Sequence, residues 1–81
     1  MMTTVKPDSV LNCKGMNCPL PVLKTKKAIE GLTPGQVLLV EVTDTGSKSD
    51  IPALLKRTGN ELIEMNESDG VFTFLIKKGT A

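Results

Sequence analysis

The sequence predicts an α+β fold: a two-layer α/β sandwich in βαβαββ order, with a four-stranded mixed sheet and two helices. Three observations predict it. Short apolar or alternating runs are interleaved with two stretches of helical spacing. A strand–helix–strand crossover favours a parallel pair of strands. The last two runs are separated only by the turn "SDG", which joins antiparallel strands as a hairpin.

Residues 1–8 read as a flexible tail and residues 9–79 as a single domain. "SVLNC" alternates enough for a short strand, with Leu11 and Cys13 on one face. "KGMN" turns the chain. A helix is expected from Pro19 to about Glu30, with Val22, Thr25, Ile29 and Leu32 along one side and Lys24 and Lys27 off that stripe. "GLTPG" stops it. "QVLLVEVT" is an apolar, β-branched run typical of a central strand. The polar loop "DTGSKSDIP" leads into a second helix, capped by Ser49 or Asp50, with Pro52 in its first turn and Gly59 as its stop. "ELIEMNE" and "VFTFLIKK" complete the sheet, with Phe72, Phe74 and Ile76 sharing one face. Two helices cover one face only, whereas Val37 to Val40 offer apolar side chains to both. Strand twist and long side chains such as Lys are the simpler cover for the open face; a docking surface is the alternative.

Composition narrows the function. The 81 residues are 40% hydrophobic and 23% charged, ordinary for one small globular domain. A net charge of +1, two Phe and no Trp or Tyr argue against nucleic acid and membrane surfaces as direct partners. The apolar runs are too short to span a bilayer and the start lacks a secretory signal, so a cytoplasmic protein is expected, monomeric by default. Two cysteines and no His cannot close a zinc site, and no metal or cofactor is expected. The C-x4-C spacing of Cys13 and Cys18 also differs from the C-x-x-C of thioredoxin-like motifs, leaving two free thiols.

The chemistry concentrates at Cys18, in "GMNCPLP". With Cys18 as the N-cap, Pro19 falls at N1 and Pro21 at N3, where a missing N–H costs the helix nothing. The prolines fix the direction of the sulfur, and the positive end of the helix favours thiolate. Because the prolines also remove two N–H donors, only Leu20 N–H remains for the sulfur, and the depression of the thiol pKa is expected to be mild. Lys14 adds positive charge nearby, and Lys24 acts on partners more than on the thiol. Without His, the Cys–His pairing of acyl transfer is impossible. Sulfur transfer needs only a thiolate that attacks a terminal sulfur and later yields it to an acceptor thiol. Cys13, by its strand phase, points into the fold and packs there.

"LNCKGMNCPLPVLKTKKAI", residues 11–29, closely resembles the signature of the TusA family of small sulfur carriers, which includes SirA-like and YedF-like proteins. Its C-P-x-P element matches Cys18, Pro19, Leu20 and Pro21, and the resemblance continues through the "D-x-G-S-x-x-D" loop to "VFTFLIKKG". It implies a persulfide on Cys18 and a place in a sulfur relay. The donor would be a cysteine desulfurase or rhodanese-like protein, and the acceptor a DsrE-like or other sulfurtransferase. Such relays serve tRNA thiolation, molybdenum cofactor assembly or sulfur oxidation. By position, Gly15 matches the turn glycine, Lys24, Lys26 and Lys27 match a partner-facing basic helix, and Asp44 and Asp50 match the acidic loop positions. Asn12 stands where many relatives have Asp, and Thr45 where many have Pro.

The leading reading is a sulfur carrier, an enzyme only in that Cys18 is covalently modified during transfer. A non-catalytic binding or regulatory module on the same fold is the alternative. A redox switch between Cys13 and Cys18 is the third reading, and burial of Cys13 would count against it.

Overall fold

The computed structural model describes residues 6–17 and 19–79. Two expectations lie outside the described residues: most of the N-terminal tail, at residues 1–5, and the placement of Cys18.

The order is β1 (Ser9–Cys13), α1 (Leu20–Glu30), β2 (Val37–Val42), α2 (Ser47–Thr58), β3 (Glu61–Ser68) and β4 (Val71–Lys77). The strands form one sheet in the order β1-β2-β4-β3, parallel between β1 and β2 and antiparallel elsewhere. This is the expected mixed sheet of a two-layer sandwich. Its shortest dimension of 18 Å suits one helical layer on one sheet.

Strand phase decides what is buried. Leu11 and Cys13, Leu38, Val40 and Val42, and Phe72, Phe74 and Ile76 share one face in register and meet Ile29 of α1 and Ile51 and Leu55 of α2. Phe74, on a strand flanked on both sides, is fully buried at the centre. The β3–β4 hairpin closes on Asp69 and Gly70, both at positive φ, in keeping with the two-residue turns whose twist matches that of the flanking strands. A register shift between Leu62 and Glu64 bulges the edge strand β3. On the open face Leu75 and Val37 are buried without helical cover, at 5% and 7% exposure, while Val10 on the edge strand is 60% exposed.

Both helices begin differently from expectation. Pro19 is the N-cap of α1, making Leu20 N1 and Pro21 N2, so the cap position expected for Cys18 belongs to its neighbour. Pro21 is buried with Thr25 and Ile29, a member of the inner stripe that the apolar spacing did not reveal. Helix α2 starts at Ser47, which leaves Pro52 inside the helix and not in its first turn. The cause lies upstream. Asp44 Oδ2 accepts the Ser47 N–H at 3.1 Å and the Ser47 hydroxyl at 3.2 Å. Ser47, Lys48 and Ser49 then donate to carbonyls three residues back, winding a tight turn before the proline. Gly46 is the N-cap, the side-chain bonds that cap the helix start come from Asp44 two residues before it, and Asp50 sits within the first turn. Gly59, at φ 77°, ends α2 as expected, and Gly31 caps α1.

Candidate functional site

Because β1 and β2 run parallel and pair Cys13 with Val42 at their ends, the loops that follow them leave the sheet side by side. Both lead into helix N-termini at that same edge. The β1–α1 loop is shaped by local bonds: Lys14 N–H to Asn12 Oδ1 at 2.9 Å, Met16 N–H to the Cys13 carbonyl at 3.2 Å, and Leu20 N–H to the Asn17 carbonyl at 3.0 Å. The Leu20 N–H, expected to serve the Cys18 sulfur, is thus committed to Asn17. Gly15 takes φ 81°, a conformation that favours glycine, and its N–H donates to Thr43 Oγ1 at 2.9 Å. Met16 is half-buried against the core. Asn17 and Pro19, which flank Cys18 in sequence, are both exposed.

The charges around this loop are of one sign on the α1 side. The first turn of α1 carries no acidic residue. Lys24, Lys26 and Lys27 are exposed. Helical side chains lean toward the N-terminus, and the Lys24 ammonium acts on the Cys13 thiol, drawing its pKa down while burial pushes it up more strongly. The Lys24 charge is thus felt at the end of β1, where the loop begins. On the other side, Asp44 is half-buried in its capping role and Asp50 is exposed. The exposed face of α1 was only partly visible in the sequence. Leu20 and Leu23 are 48% and 54% exposed on α1, apolar side chains set among the lysines. Their positions one turn apart, off the buried stripe, were the signal.

Cys13 is fully buried, and its thiol is held above the ordinary range by desolvation. It packs in the core with Val42 and Phe72 and offers no ready thiolate, which counts against the redox switch. Among the described residues, no three His, Cys, Asp or Glu side chains are grouped to hold a metal, and no helix is long and apolar enough to cross a membrane. A cavity of about 100 Å³ lined by Lys26, Ile29, Leu54, Thr58 and Lys78 lies at the other end of the helices.

Residues 9–78 match the family described as Sulfurtransferase TusA. The chain belongs to the TusA family. It is 52% identical to the sulfur carrier protein TusA of Allochromatium vinosum, over 88% of this chain and 93% of that relative. It is 43% identical to the putative sulfur carrier protein YrkI of Bacillus subtilis, over 93% of this chain and 100% of the relative. The crystal structure of a SirA-like protein from Desulfitobacterium hafniense has the same fold, with a TM-score of 0.77 and 30% identity over 88% of this chain and 97% of that one. Of the two departures from the TusA pattern, Asn12 uses its carbonyl to accept the Lys14 N–H, a role an Asp carboxylate would fill equally. Thr45 lies in the turn before α2, its carbonyl accepting the Lys48 N–H at 3.2 Å.

Proposed function

We propose that this protein is a sulfur carrier that holds sulfane sulfur as a persulfide on Cys18 and passes it to an acceptor thiol. The Cys18 thiolate attacks the outer sulfur of a donor persulfide; a new S–S bond forms and the donor leaves as thiolate. An acceptor thiolate then attacks that outer sulfur, and Cys18 departs as thiolate. No electrons are gained or lost overall, and neither a base nor a metal is needed.

The observation that carries this reading is the C-P-x-P element at the start of α1 in a chain of the TusA family. Three features support it. The loop residues beside Cys18 are exposed, the first turn of α1 is free of acidic side chains, and Leu20, Leu23, Lys24 and Lys27 form an apolar and basic face next to the loop. That face suits a protein donor or acceptor with an acidic rim, such as a cysteine desulfurase, a rhodanese-like protein or a DsrE-like sulfurtransferase. The Gly15, Pro19 and Pro21 backbone would hold the motif in place. Sulfur for thiolated tRNA, molybdenum cofactor or sulfur oxidation would then be delivered through such partners.

The test is intact mass after exposure to inorganic polysulfide, beside Cys18→Ser. A gain of sulfur removed by dithiothreitol and absent from the variant is the expected result. A wild type that stays unloaded, with polysulfide and with a persulfidated rhodanese-type donor alike, would overturn the reading in favour of a binding module.

A further inference from the structure

We propose that Thr43 is a positioning residue for the Cys18 segment: its hydroxyl accepts the Gly15 N–H and so fixes the loop that presents the thiol to a protein partner. The proposal rests on the sulfur-carrier reading above.

Among the described residues, the loop between Cys13 and Pro21 has few holds on the rest of the fold. Lys14, Gly15, Asn17, Pro19 and Leu20 are exposed. The bonds from Lys14, Met16 and Leu20 N–H all stay within the segment or reach only the end of β1. Nothing lies within 4 Å of where a Gly15 side chain would begin, so packing does not hold that residue. Among the described residues, what reaches across is the Met16 side chain, which packs on the core, and the 2.9 Å bond from Gly15 N–H to Thr43 Oγ1, spanning 28 residues. Thr43 is itself exposed, just past the end of β2, and neither fills the core nor caps α2, the latter being the work of Asp44. Its hydroxyl joins the two loops at the edge where both helices begin.

Such a bond matters most when geometry is imposed from outside. Transfer between two docked proteins requires the attacking sulfur to lie in line with the S–S bond of the donor. A small polysulfide orients itself and tolerates a wandering loop. Loss of the Thr43 acceptor should therefore slow protein-to-protein transfer while leaving small-molecule loading intact.

The experiment compares wild type with Thr43→Val, which keeps the shape and removes the acceptor, and Thr43→Ser, which keeps the acceptor. Thr43→Val should lower kcat for transfer from a persulfidated rhodanese-type protein by about fivefold, the scale of one net hydrogen bond, with KM unchanged. Loading by polysulfide should stay at the wild-type rate. Thr43→Ser should restore transfer, and Gly15 amide exchange should quicken in Thr43→Val alone. Wild-type transfer by Thr43→Val, or a Thr43→Ser variant as slow as Thr43→Val, would overturn the proposal while wild-type loading upholds the carrier reading. A wild type that takes up no sulfur would overturn both.

Discussion

Gly15 and Thr43 meet across the edge of the parallel strand pair, the Gly15 N–H donating to Thr43 Oγ1 at 2.9 Å while Gly15 holds φ 81°. The glycine is needed for its backbone angle and not for space, since its surroundings are open. Gly15→Ala should therefore cost about 1–2 kcal/mol through left-handed strain without any clash. Gly15→Asn should recover part of it, because Asn tolerates that region better. Urea unfolding of the two variants checks this; equal losses would mean that the space, not the angle, is limiting.

Asp44 should matter to stability as the cap of α2. Asp44→Ala removes the side-chain acceptor of the buried Ser47 hydroxyl and leaves the Ser47 N–H only the Asp44 carbonyl among the described residues, and should cost about 1 kcal/mol, within the usual 0.5–2 range for caps. Asp44→Asn, which keeps a carbonyl in place, should lose much less. If sulfur transfer fell in Asp44→Asn at full stability, the carboxylate would have a role with partners beyond the cap.

Thr25 is fully buried on the inner side of α1, and its hydroxyl has no hydrogen-bond partner among the described residues. A buried unpaired hydroxyl costs free energy that a methyl group does not. Thr25→Val should stabilise the protein by about 1 kcal/mol, read as a higher midpoint in urea. A lower midpoint would reveal a partner for the hydroxyl.

Cys13 sets an alkaline limit. Its folded-state pKa lies above the ordinary thiol value, so above about pH 8.5 the unfolded chain holds fewer protons at this site than the folded one. The stability present below that pH is lost as pH rises toward the folded pKa, with a slope of at most about 1.4 kcal/mol per pH unit. Unfolding free energies of wild type and Cys13→Ala measured between about pH 7 and about pH 10 should diverge in this sense. Parallel curves would show that Cys13 ionises equally in both states. Sulfur loading should survive the substitution.

Much of this architecture was legible in the chain because strand phase and turn chemistry act locally. The alternation in "VFTF" places Phe72 and Phe74 inward, and the same argument seats Cys13 in the core. The helix starts were harder. Pro52 suggested a first turn, but Asp44 and Ser47, three residues apart, win the cap, and a tight turn is wound ahead of the proline. At α1 the helix begins one residue later than expected, with Pro19 and not Cys18 at the cap and no side-chain cap bond there. The Thr43 bond was not legible at all: it joins residues 28 positions apart, and only the parallel pairing of β1 with β2 brings them together. Leu20 and Leu23 sat in plain view, yet spacing alone does not distinguish an exposed apolar pair from a second buried stripe.

The order of the strands also dictates when the fold can close during synthesis. Of the four strands of this sheet β4 comes last in the chain, yet it lies inside the sheet, between β2 and β3, and carries Phe72, Phe74 and Ile76 into the core. Until those residues have left the ribosome, β2 lacks its antiparallel neighbour and the core lacks Phe72, Phe74 and Ile76. At about 5–20 residues per second, the emerging chain spends several seconds with its apolar β2 edge unpaired. The four-stranded sheet can then close only once its central strand has arrived.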